Sequence, residues 1–114
     1  TVTEDRTVTV ETGNELDKVK QGNHTLEVDQ GDIQVKASLG SINVEAMKDI
    51  VFESQKQIVL KVGQSSVTID QKGITLEALT ITITGQAKAD IGSPLTTVKA
   101  DGVLTLKGTM TMIN

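Results

Sequence analysis

The chain has 114 residues, no cysteine, a single aromatic residue (Phe52) and a formal net charge of -4. These numbers exclude disulfide staples, thiolate metal sites and thiol nucleophiles, and the lack of a basic block argues against a nucleic-acid surface. No run reaches the roughly 18 apolar residues of a helical membrane span, and an apolar content of 37%, mostly Val, Ile, Leu and Ala, is thin for a core built by one chain without large rings.

In chain order, short apolar sets alternate with polar residues. The first are Val8 and Val10, then Leu26 and Val28, Ile33, Val35 and Ala37, Ile42, Val44 and Ala46, and Ile50 and Phe52. Ile58, Leu60 and Val62 follow, then Val67 and Ile69, Ile74, Leu76 and Ala78, and Ile81 and Ile83. Ala87, Ala89 and Ile91, Val98 and Ala100, Leu104 and Leu106, and Met110 and Met112 complete the series. Alternation at period two is the signature of strands, and no sustained i, i+3, i+4 pattern competes with it. The predicted fold class is all-β.

Gly13, Gly22, Gly31 and Gly40 recur nine residues apart. From set to set the interval is seven to nine residues, too short for a strand and a crossover helix. The inward parity flips between neighbouring sets, and Gly40, Gly63, Gly73 and Gly92 sit at or beside such flips, where a glycine bends or reverses the pleat cheaply. Asp101-Gly102 is the only Asn-Gly or Asp-Gly hairpin signal, so the strands are expected to turn corners without reversing. A single-chain β-helix repeats at roughly 20 to 25 residues, one coil of about three sides. Here the repeat is one side, which favours three chains winding about a common axis.

Three stretches, GDIQVKASLGSINVEA (31–46), VGQSSVTIDQKGITLEA (62–78) and ADGVLTLKGTMTMIN (100–114), resemble the C-terminal spike of the type VI secretion valine-glycine repeat (VgrG) proteins, relatives of the phage tail central spike. DRTVTVETGNELDKVKQGNHTLEV (5–28) is similar to that family's segment leading from its hub domains into the spike. The strict V-x-G octad is departed from, since Val62 and Gly63 are adjacent and residues 41–62 lack glycine. The resemblance implies an intertwined homotrimeric triple-stranded β-helix, with residues 1–30 as a neck and 31–114 as the needle-like spike. A dozen sides at about 4.8 Å each would make a prism on the order of 60 Å long.

It implies a structural, non-enzymatic role: a membrane-piercing needle of a contractile injection apparatus. Such a needle is held in the bacterial cytoplasm and, on firing, secreted into a target cell. Hub domains would precede it, and a chain opening at Thr1 already in repeat register reads as a piece of something longer. The trimer core would comprise Ile33, Val35, Ile42, Val44, Phe52, Leu60, Ile69, Leu76, Ile81, Ile83, Leu104 and Leu106. With the C-terminus distal, as in the family, Thr109, Met110, Thr111, Met112 and Ile113 form a last strand whose rim would dock a PAAR-repeat tip protein or an effector. Met110 and Met112 equally suit plain axial filling.

Other candidate sites are weak. His24 is the sole histidine, so no H-x-H pair exists, and its set with Leu26 and Val28 places it inward as a packed or hydrated side chain. Asp29 and Asp32 flank Gly31, but the nonapeptide of calcium-binding β-rolls is absent. GQSS at 63–66 lacks the second glycine of a nucleophile elbow, and NHT at 23–25 is a glycosylation sequon of low specificity. No cofactor or metal is expected. Lys36, Glu45, Lys61, Glu77 and Lys88 alternate with the inward sets as a mixed-sign exterior.

Two other classes share the alternation. A monomeric β-helix that binds a surface would use the row Thr80, Thr82 and Thr84. A trimeric phage fibre or spike domain would bind host glycans, although sugar clefts are commonly lined by aromatic residues, of which this chain has only Phe52.

Overall fold

The computed structural model describes all of residues 1–114 and divides into two units, Thr1–Lys48 and Asp49–Asn114. The chain is all-β. It has no helix, and its one regular sheet comprises β1 (Gln57–Val62), β2 (Ser65–Asp70) and β3 (Ile74–Glu77). Elsewhere, extended backbone alternates with bends.

In the first unit, after a bend at residues 3–4, bends begin at residues 11, 20, 29, 38 and 47, nine residues apart each time. The first three close on Gly13, Gly22 and Gly31, whose φ angles of 101°, 106° and 113° lie in a region that only glycine enters without strain. The expected glycine period is therefore a period of backbone conformation. Gly40, at the fourth bend, does not share the positive φ. Val10, Val19 and Val28, each three residues before its glycine, are the least exposed large apolar residues of this unit, at 46%, 44% and 42%. A Cβ on Gly31 would touch Val28 at 3.8 Å, which shows the valine tucked against the bare face of the bend. Leu39 and Met47 lie within bends and are fully exposed.

In the second unit, bends or turns begin at 55, 63, 71, 79, 86, 94, 101 and 109, seven or eight residues apart. Pro94 sits in the bend at 94–95, where its fixed φ suits a corner and its missing N–H costs no ladder bond. The Ser93 hydroxyl lies beside it, donating to the Leu95 carbonyl and lying 2.9 Å from the Thr96 hydroxyl. Gly85 precedes the bend at 86–87, and a Cβ there would collide with the Lys88 carbonyl oxygen.

Two of the second unit's turns reverse the chain. β1 pairs with β2, and β2 with β3, all antiparallel. This overturns, for residues 57–77, the expectation that strands turn corners without reversing. The first reversal has two residues, Gly63 and Gln64, with Gly63 at φ 55°. No non-glycine residue has positive φ, so Gln64 takes an ordinary conformation and the turn matches the II′ type, which wants glycine first. Glycine followed by another residue is the II′ counterpart of the Asn-Gly signal. The second reversal is held by Asp70, whose Oδ1 accepts from the Lys72 N–H at 2.9 Å and the Gly73 N–H at 3.1 Å. The Asp70 N–H in turn donates to the Gly73 carbonyl at 3.0 Å. These reversals pair Leu60 with Val67 and Val67 with Leu76, and so they account for the parity flips at Gly63 and Gly73.

Apart from that Asp70–Gly73 bond, backbone–backbone hydrogen bonding is confined to the sheet. Folded chains make about one intramolecular hydrogen bond per residue, mostly between backbone groups. The donors and acceptors of residues 1–56 and 78–114 have no partner of this kind within the chain. Burial is as sparse: no residue is buried, and the accessible surface is 13082 Å². A compact monomer of 12.1 kDa would expose about 6,000 Å², and its extended chain roughly 17,500 Å².

Candidate functional site

The sheet is two-faced. Ile58, Leu60 and Val62 of β1, Val67 and Ile69 of β2, and Ile74 and Leu76 of β3 share one side, joined only by Ser65 among polar residues. The opposite side carries Gln57, Lys61, Ser66, Thr68, Asp70, Thr75 and Glu77, with Val59 its one large apolar residue. Two straight cross-strand rows cover the apolar face, Leu60–Val67–Leu76 and Ile58–Ile69–Ile74. Directly opposed side chains lie about 5 Å apart and contribute a few tenths to 1 kcal/mol per pair.

Ile58, Ser66, Val67 and Thr68 are the only half-buried residues in the chain, so the sheet centre is the closest approach to a core. Its apolar face remains open: Val62 is 83% exposed and Ile74 69%. A shallow groove of about 350 Å³ runs over the Leu60–Val67–Leu76 row and is bounded by Ala78, Thr80 and Ile81 beyond β3. Lys61 and Glu77 are the only titratable residues among its lining, and neither belongs to the apolar rows. The face can exclude water from a matching apolar surface.

Of the expected core residues, Leu60, Ile69 and Leu76 are brought together here, alongside Ile58, Val62, Val67 and Ile74, which the alternation also marks as inward. Ile33, Val35, Ile42, Val44, Phe52, Ile81, Ile83, Leu104 and Leu106 are each exposed in the single chain. At the C-terminal end the backbone bends at Thr109 and Met110 and then runs extended through Thr111, Met112 and Ile113. The bend divides the expected last strand, so the extended piece begins at Thr111. Gly108 suits that corner, since a Cβ on it would press the Met110 carbonyl oxygen at 3.1 Å.

His24 lies 3.9 Å from the Asp17 carboxylate through Nδ1, both side chains well exposed. The contact spans the bend at 20–22 and links consecutive nine-residue repeats. Lys88 and Asp90 form a second exposed pair at 3.2 Å. No three His, Cys, Asp or Glu side chains converge as metal ligands do, and no helix is long and apolar enough to cross a membrane. No family model, curated protein or solved structure matches the chain.

Proposed function

We propose that the chain is the spike segment of a contractile injection apparatus of the type VI secretion kind, working as an intertwined homotrimeric triple-stranded β-helix. One observation carries the reading. A chain whose corners recur every seven to nine residues leaves nearly all its aliphatic side chains exposed and, outside one sheet and the turn that closes it, its backbone groups without backbone partners in the same chain. Strands of other copies supply both needs at once: ladder bonds along each edge, and an axial interior of small β-branched residues that no single chain can close. The surface still to be covered is about 7,000 Å² per chain, the difference between 13082 Å² and the compact expectation. Ordinary complexes bury about 800 Å² per partner. Only partners that follow the chain along its length reach such an area.

Mechanical piercing follows from that architecture. Compression along the axis would load stacked hydrogen-bonded layers, and no layer could yield without disturbing three chains. Separating the chains requires unthreading, so the particle would be kinetically stable. The C-terminal residues Thr111, Met112 and Ile113 would present an unpaired rim to a PAAR-repeat tip protein or effector, and hub domains would precede the neck.

Native mass measurement tests the assembly, with about three times 12.1 kDa expected and persistence of that species in mild SDS. A monomer in solution would overturn it. Pull-down of a PAAR-repeat protein with residues 111–114 present and deleted tests the tip; equal capture by both forms would remove the tip assignment.

A further inference from the structure

Repetition creates a problem for any assembly of this chain with itself. The sets around Ile33 and Val35 and around Ile42 and Val44 are nine residues apart and nearly interchangeable. Slipping one copy by one repeat would exchange like for like, and register is weakly specified wherever neighbouring strands are equivalent. Some element must be unlike the others. The β1–β2–β3 meander is that element. It alone pairs with itself, it contains every half-buried residue of the chain, and its two reversals are set by Gly63 and by the Asp70 carboxylate. Gln71 ties it further, donating through Nε2 to the Gln55 carbonyl at 2.9 Å.

We infer that the meander is the registration site of the assembly: its apolar face docks against the same face of the other copies before the repeats close. This rests on the homotrimer reading above and names where contact between copies begins. The occupant follows from the chemistry of the face. Its two rows, Leu60–Val67–Leu76 and Ile58–Ile69–Ile74, hold no charge with which to select a different partner. An identical aliphatic face is complementary to it, and the area left uncovered along the chain exceeds what a small partner could hide. Because the sheet forms from contacts close in sequence, it is ready while the longer-range pairings are still unmade.

The natural chain has no cysteine, so single thiols report contact cleanly. Val67 and Thr68 are adjacent on β2, both half-buried, and face opposite sides. Full chains carrying Val67→Cys or Thr68→Cys are weighed in native form, oxidised, and run on a non-reducing denaturing gel. The expected result is trimer mass for both and a covalent dimer about tenfold stronger for Val67→Cys, since disulfides need Cα atoms within about 7 Å. Trimer mass with equal or reversed cross-linking overturns the inference and leaves the trimer standing. Monomer mass overturns the trimer and the inference with it. Refolding of Leu60→Ala is expected to slow by about tenfold while Leu104→Ala refolds at the natural rate; equal slowing removes the priority given to the meander.

Discussion

Residues 5–46 and residues 57–77 share the same alternation of aliphatic and polar side chains, yet their backbones take different courses. In the first region, glycines near φ 105° close bends that turn the chain without bringing it back on itself, and no strand forms. In the second, Gly63 at φ 55° begins a two-residue turn that folds the chain into a ladder. Side-chain alternation is thus silent about pairing. At the first reversal the positive φ of Gly63 sets a tight turn that matches the twist of two adjacent antiparallel strands, and at the second the Asp70 carboxylate closes the turn.

Several substitutions would break or sharpen this contrast. The largest effect is expected from Val67→Asp, which sets a carboxylate in the centre of the apolar face. An unpaired charge buried between copies costs several kcal/mol, so native mass measurement should show loss of the assembly. An aspartate at Thr68, on the polar side, should leave it intact. Next is Gly85→Ala. Its Cβ would collide with the Lys88 carbonyl oxygen, and a displaced backbone costs on the order of 1–3 kcal/mol. The unfolding midpoint should fall clearly, whereas Gly92→Ala, with open space around it and no positive φ, should not lower it.

A smaller effect separates the glycines of the nine-residue series. Gly22→Ala forces alanine to φ 106° and should destabilise by roughly 1–2 kcal/mol. Gly40→Ala meets neither positive φ nor a neighbouring atom and should stabilise by about 0.4–1 kcal/mol through the unfolded chain. Opposite signs in thermal melts would show that the period belongs to the backbone angle and not to the residue type. The Asp70→Ala change removes two acceptor contacts at the second reversal and should cost about 1 kcal/mol in chemical unfolding. Smallest of all is Lys88→Ala, which breaks an exposed ion pair; melts should be indistinguishable from those of the natural chain.

Much of this was legible beforehand. The corner interval of seven to nine residues appears as spaced bends along the chain, because a short alternating set can run extended for only a few residues before the next set needs a corner. The inward sets around Leu60, Ile69 and Leu76 meet on one face for the same reason. What escaped was the meander. Val62-Gly63-Gln64-Ser65 contains neither Asn-Gly nor Asp-Gly, and the hairpin is specified instead by glycine in the first turn position, with Asp70 closing the second turn through its carboxylate. The bend at Thr109 and Met110 was hidden in the same way, by alternation that runs unbroken through a corner.

Composition and period by themselves determined that this chain would be extended segments and corners with too little apolar bulk to enclose a core of its own, since those properties follow from local sterics and from the side chains present, although only residues 57–77 form a regular sheet. Only the tertiary structure decided which corners reverse. That choice depends on φ at single glycines and on hydrogen bonds between residues brought together by the turn itself, and an alternating pattern carries no record of either.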